Sequence, residues 1–386
     1  MGRSPAIIAR ITAELVIAAI GLTLVVGALA ANQGWLDHHF LPSFLFPRDW
    51  YVRAETAARV CMAIAGLWLI VSTRPRVGRL VARAPGMTFS VVIAVLLAFA
   101  ASEVALRGMR LRPTEWLVPD EEPRRQPDAK LGWTLVPGRV GQNSIAGRVI
   151  EYAIDPNGYR VASLDAPVDH AKPTVVFIGE SVVFGEGLTW EESIPAQVAA
   201  LTGMQTANLA VHGFGNDQAF MRLQIELPRF QQPVAVVSLF MPALFGRNLD
   251  HDRPHLGPGL VWQAPEPRSR LASLASMLVP YRSDDTIAHG VESTREVLRG
   301  TIALAQSRGA QAIVVVPQFG PDSEPERLLR QRVLDEGQVP YVLVPIDAEW
   351  RLAWDRHPDA RAAHAMALAI STALSTPLRQ SRPQSR

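Results

Sequence analysis

The chain has 386 residues, 48% of them hydrophobic and 19% charged, a balance too apolar for a wholly soluble protein of this length. Net charge is +2, and the basic residues are arginines apart from Lys130 and Lys172, with no basic stripe interleaved with aromatics, which argues against a nucleic-acid partner. A single cysteine, Cys61, excludes an intramolecular disulfide and a cysteine-based metal site.

The apolar excess lies in residues 1–110, which read as a membrane region with three transmembrane helices at about 6–31, 55–72 and 86–106. The first is apolar apart from Arg10 and Glu14. It has the roughly 20 residues a bilayer span needs, and it is too long for a cleaved signal peptide. The second, with Arg59 near its start, is short and needs flanking residues to span; the third carries Glu103 near its end. Between the second and third, Arg74, Arg76, Arg79 and Arg83 occur without an acid, which marks a cytoplasmic loop and places everything after the third span outside. Arg107, Arg110 and Arg112 pull the other way. In the first extramembrane loop, Trp35, Phe40, Phe44, Phe46, Trp50 and Tyr51 read as interfacial anchors, and His38 and His39 as solvated polar residues.

Residues 111–130, rich in Pro, Arg and acids, read as a linker. The segments 131–138 and 148–154 alternate well enough to suggest a small β-hairpin packed on a core. From Thr174 onward strands at 174–178, 206–210, 234–240, 311–317 and 341–346 alternate with helices at 191–202, 216–228, 291–308, 323–336 and 359–374. That order predicts a three-layer α/β/α sandwich on a parallel, flavodoxin-like sheet over residues 131–376, followed by a disordered tail at 377–386. Residues 245–290 interrupt the pattern as a polar, Gly- and Pro-rich insertion, read as a lid or a disordered connection. Its Asp250, His251, Asp252 and His255 are read as solvated rather than as a metal cluster.

Two segments carry chemistry. The β-branched run from Thr174 ends at Gly179 and presents Ser181, where open α/β sheets place reactive groups, at the carboxyl end of a strand. Near the C-terminus Asp355 lies two residues before His357, so one loop ahead of the last helix supplies a base and a carboxylate to orient it.

These segments resemble the SGNH (GDSL-type) hydrolase superfamily. Gly179-Glu180-Ser181 resembles its Gly-Asp-Ser segment, and Asp355 to Pro358 resembles its C-terminal Asp-x-His segment. Asn208 to Gln218 is similar to the second block, and Asp155 to Arg160 to the lead-in of many bacterial members. There are two departures. Glu180 stands for the usual Asp, and Ala243 and Leu244 fall where the third block carries Asn-Asp.

The resemblance implies a serine esterase with no cofactor and no metal, in which Ser181 attacks, His357 carries the proton and Asp355 orients His357. Backbone N–H groups of Ser181 and Gly213 would hold the oxyanion, with Asn216 or Asn248 as replacement donors and Gly179 and Glu180 in support. Taken with the arginine pattern, it further implies a bacterial inner-membrane protein with its catalytic domain on the periplasmic side. The substrate would be an acylated, by default O-acetylated, envelope glycan or lipid. Ala243 favours the rival reading, a catalytically impaired module that binds envelope polysaccharide or an assembly partner.

Overall fold

A computed structural model describes residues 5–41, 47–109, 111, 121–145, 147–266, 268–353 and 356–375. The chain divides into two compact units. One comprises the N-terminal helices to Leu111 together with Arg268–Tyr281; the other holds nearly all of the remainder.

The first unit contains α1 (Pro5–Ala30), α2 (Gln33–Phe40), α3 (Arg48–Trp68), α4 (Arg74–Arg83) and α5 (Pro85–Ala105). Among the described residues, three helical stretches are long and apolar enough to cross a membrane: Ala6–Ala30, Arg48–Arg83 and Gly86–Gly108. Their large apolar side chains, such as Leu22 and Leu96, point outward, the reverse of a water-soluble bundle. Helices α1 and α3 cross at two glycines. A Cβ on Gly66 would lie 2.5 Å from the Gly21 carbonyl oxygen, and one on Gly21 would lie 2.7 Å from that of Gly66. Small residues permit such close backbone approach, which replaces the hydrophobic effect as the driving force inside a bilayer.

The segment expected to be an arginine-bearing loop after the second span is helical. A π-helical turn at Leu69–Thr73 joins α3 to α4, and Pro75 sits in the first turn of α4, where a missing N–H costs nothing. Arg74 lies 3.9 Å from Glu14, which also accepts from Arg10 at 2.8 Å.

The described part of the insertion at 245–290 carries regular secondary structure. It forms a 3₁₀ segment, a short β-hairpin, and a helix that joins the first unit. That helix begins at Arg270, and the Glu103 carboxylate accepts the N–H groups of Arg270 (2.6 Å) and Leu271 (2.9 Å), which satisfies donors that a helix start leaves orphaned.

The second unit is an α/β/α sandwich around a mostly parallel sheet. Its strands are β1 (Arg125–Asp128), β2 (Gly132–Leu135), β3 (Arg139–Ile145), β4 (Arg148–Ile154), β5 (Arg160–Val161), β6 (Pro173–Phe177), β7 (Gln205–Asn208), β8 (Gln232–Leu239), β9 (His255–Gly257), β10 (Val261–Gln263), β11 (Gln311–Phe319) and β12 (Val342–Ile346). The helices are α6 (Ser181–Phe184), α7 (Ile194–Thr202), α8 (Asn216–Glu226), α10 (Asp284–Ser307), α11 (Glu324–Arg330) and α12 (Ala360–Ser375), the insertion helix in the first unit being α9 (Arg270–Leu278). The eight-stranded sheet runs β12-β11-β8-β6-β7-β5-β4-β3. Its five parallel strands therefore have the order 2-1-3-4-5, with the topological switch between β6 and β8, where such sheets bind ligands. Val175, Val176, Phe177, Val236, Val237 and Val315 are fully buried, and each such side chain contributes about 1.5–3 kcal/mol.

The antiparallel extension differs from the expected hairpin. Residues 148–154 pair with β3, not with 131–138, while β2 pairs with β1, which lies inside the segment expected to be a linker. Gly147, at φ 75°, takes the left-handed conformation that the tight β3–β4 turn requires.

Candidate active site

Strand β6 ends at Phe177, and at Gly179 a Cβ would stand 2.7 Å from Val183 Cγ2, so only glycine lets the chain turn directly into α6. Glu180 caps that short helix, its Oε2 accepting from the Val182 N–H at 2.9 Å. Ser181 is the first residue of the helix, and Gly185 at φ 87° ends it.

The turn is held from below by buried polar side chains that bond its backbone. Buried Arg160 donates to the carbonyls of Phe184 (2.7 Å), Gly185 (2.8 Å) and Leu188 (2.6 Å). Its guanidinium faces the rings of Tyr152 and Phe184 at 4.8 and 4.9 Å. Burial lowers its pKa to about 10, which leaves it charged at neutral pH. Asn208 Nδ2 donates to Val183 O and Phe184 O, both at 3.2 Å. Asp155 orders the lead-in, accepting from the N–H groups of Asn157 (2.8 Å), Tyr159 (3.0 Å) and Val168 (3.2 Å).

His357 arrives on the connection between β12 and α12. Arg356 at φ 60° reverses the chain, and the Leu352 N–H donates to His357 O at 2.7 Å. Nε2 of His357 lies 2.8 Å from Ser181 Oγ, with both residues buried. Ser181 Oγ has a second neighbour at 2.8 Å, Oε2 of Glu180. Asp355, the expected orienting carboxylate, lies outside the described residues.

Ser181 and His357 open onto a cavity of about 250 Å³, whose walls include Gly213, His212, Glu186 and Arg125. Gly213 has φ 77°, and a Cβ there would meet Trp133 at 3.2 Å. Trp133 Nε1 donates to His212 O (2.8 Å) and Arg253 to Gly213 O (2.8 Å), so both carbonyls of this turn are occupied. Among the described residues no acceptor takes the Gly213 N–H. His212 is half-buried against Glu186. Burial, reinforced by the charges of Arg125 and His357, holds its pKa well below the usual imidazole value, so it is neutral at pH 7.

The expected replacement donors are not at the cavity. Asn248 Nδ2 donates to Asn216 Oδ1 (3.2 Å) and Thr294 Oγ1 (3.0 Å), and Asn216 Nδ2 to Leu239 O (2.9 Å). Those amides tie the segment after β8 to α8 and α10. Ala243 and Leu244 pack on the core. From this segment Arg247 approaches Glu180, its Nη1 lying 3.8 Å from Oε2. Sequence reasoning missed Arg247, Arg125 and Glu186, because no spacing rule links a lone charged residue to a serine brought near only by the sheet.

His251, His255 and Glu266 bring potential metal-ligand atoms within 4.8 Å of one another. The two imidazole rings are stacked with centroids 4.3 Å apart and planes tilted by only 5°. An ion must lie in the plane of each imidazole that binds it, so these rings cannot share one as they stand. In the first unit His39 is buried against Trp35 and Tyr281 rather than solvated as expected.

No protein-family profile matches this chain, and no curated protein does. Similar solved structures include an acetyl xylan esterase from Butyrivibrio proteoclasticus, at 12% identity and TM-score 0.34, covering 54% of this chain and 64% of that one. A carbohydrate acetylesterase from Sinorhizobium meliloti aligns at 12% identity and TM-score 0.33 over 53% of this chain and 98% of that one. A member of the lipolytic G-D-S-L family from Veillonella parvula aligns at 10% identity and TM-score 0.30 over 51% and 94%.

Proposed function

We propose that this chain is a membrane-anchored serine esterase of SGNH type that removes or transfers a short acyl group, by preference an O-acetyl ester of a polyhydroxyl acceptor in the cell envelope. The observation that carries this is the 2.8 Å contact between Ser181 Oγ and His357 Nε2 at the wall of a cavity also lined by Gly213. Ser181 Oγ attacks the ester carbonyl carbon while its proton passes to His357 Nε2. The negative charge on the former carbonyl oxygen is met by the N–H groups of Ser181 and Gly213. Collapse of the tetrahedral species breaks the bond to the alcohol, which takes the proton from His357. Water or a second alcohol then resolves the acyl-serine by the reverse sequence. Asp355, two positions before His357, orients the imidazole.

A cavity of about 250 Å³ with Glu186, Arg125 and His212 in its walls suits a small acyl group on a polar acceptor better than a long hydrocarbon chain. The arginines of α4 favour a cytoplasmic end for the second and third spans, and so a periplasmic position for the second unit. The competing reading, a binding module without turnover, draws on Ala243, since loss of one oxyanion donor costs about 2.7–4 kcal/mol. Labelling of the detergent-solubilised chain with a fluorophosphonate separates the two. Labelling that needs both Ser181 and His357 supports the esterase, and a folded chain that stays unlabelled supports the module.

A further inference from the structure

Ser181 Oγ has one proton and two acceptors at 2.8 Å, Nε2 of His357 and Oε2 of Glu180. Only the proton shared with His357 prepares attack; one held by Glu180 leaves the hydroxyl unactivated. The carboxylate also repels the negative charge that forms on the substrate oxygen. Its Oε2 is held beside the serine by the Val182 N–H at 2.9 Å. Its other oxygen, Oε1, is buried and has no hydrogen-bond partner among the described residues.

The cation that faces this carboxylate comes from the segment after β8. Arg247 Nη1 lies 3.8 Å from Glu180 Oε2 and donates to Phe214 O at 3.4 Å, while Arg253 holds the Arg247 backbone carbonyl. Burial lowers the pKa of Arg247, and the Glu180 charge is the main influence opposing that shift. The same segment offers only Ala243 and Leu244 where the resemblance expects a side-chain amide.

We propose that Arg247 is a positioning residue that acts through Glu180: its guanidinium offsets the carboxylate beside Ser181, so that the serine proton passes to His357 as the bond to the acyl carbon forms. This rests on the serine-esterase reading. It gives the segment after β8 a role by charge in place of an amide donor. It also explains how a glutamate is tolerated against the nucleophile.

The test compares fluorophosphonate labelling rates of the full chain in detergent for the parent, Arg247→Met, Arg247→Lys, Glu180→Gln and the double variant Glu180→Gln/Arg247→Met. Arg247→Met is expected to label about tenfold more slowly, and Arg247→Lys to stay within about threefold of the parent. The double variant is expected within about threefold of Glu180→Gln alone, because without the carboxylate charge the arginine has nothing to offset. A purely structural arginine would leave the double variant as slow as Arg247→Met, and that result overturns the inference. So does an Arg247→Met chain that labels at the parent rate. Arg247→Gln, which keeps a donor for Phe214 O, repeats the comparison if Arg247→Met does not fold. A labelled parent with either overturning result removes this inference alone, whereas an unlabelled parent removes the esterase reading and this inference with it.

Discussion

Oγ of Ser181 and Nε2 of His357 lie 2.8 Å apart although 176 positions separate them in the chain. The contact is made at the carboxyl end of β6, where a glycine-dependent turn delivers the serine, and on the loop before α12, which delivers the imidazole. A nucleophile and a base in hydrogen-bond reach are the minimum for acyl transfer through a covalent intermediate.

Ser181→Ala and His357→Ala are each expected to lower turnover of a small acetyl ester by roughly 10⁶-fold and to abolish covalent labelling. Asp355→Asn is expected to lower it about 10⁴-fold while leaving a slowly labelled serine, because the imidazole loses its orienting partner. Ester hydrolysis and intact mass after labelling read both effects. An active Ser181→Ala chain would refute the assignment.

Arg160→Met should destabilise the second unit by about 3 kcal/mol or more, since three carbonyls under the serine turn lose a charged donor at once. Thermal unfolding of the solubilised chain measures this. The same variant should lose activity even where it remains folded, because α6 is no longer braced.

His212 and His170 both have pKa values lowered mainly by burial. The unfolded chain therefore binds more protons at these two positions as the pH falls below about 6.5, and folding stability drops in that direction. Each fully neutral histidine adds up to about 1.4 kcal/mol of loss per pH unit. His212→Asn should flatten the fall in unfolding midpoint between pH 7.5 and 5.5. An unchanged slope would show that His212 takes up its proton in the folded state.

Gly66→Ala should loosen the crossing of α1 and α3, since its Cβ would stand 2.5 Å from the Gly21 carbonyl, a rigid backbone atom. A cost of about 1–3 kcal/mol is expected. Gly27→Ala serves as the control, because the first atom its Cβ meets is Met62 Cε at 3.8 Å. Aggregation temperature in detergent should fall for the first and hold for the second.

An alkaline-phosphatase fusion after Ser375 should be active in cells if the second unit is periplasmic. An inactive, expressed fusion would reverse the orientation inferred from Arg74, Arg76, Arg79 and Arg83.

Much of this was legible in the chain because it depends on local pattern. Three long apolar segments, five β-branched runs alternating with helices, and a serine after the first of them follow from residue periodicity and from the glycine that stops a strand. Those signals act over a few residues, and they placed the strands of the parallel sheet and marked Ser181 and His357 as separate candidates. What only the tertiary structure decided is where separate segments meet. Asn248 reads as a donor in sequence and is spent on Asn216 and Thr294 in space, while Arg247, which no motif marks, faces Glu180. The strand pairing of 125–128 and the place of α9 in the first unit are of the same kind. A charged side chain has no periodicity of its own, so its role is set by which distant backbone and which opposite charge the packed fold brings within a few ångströms.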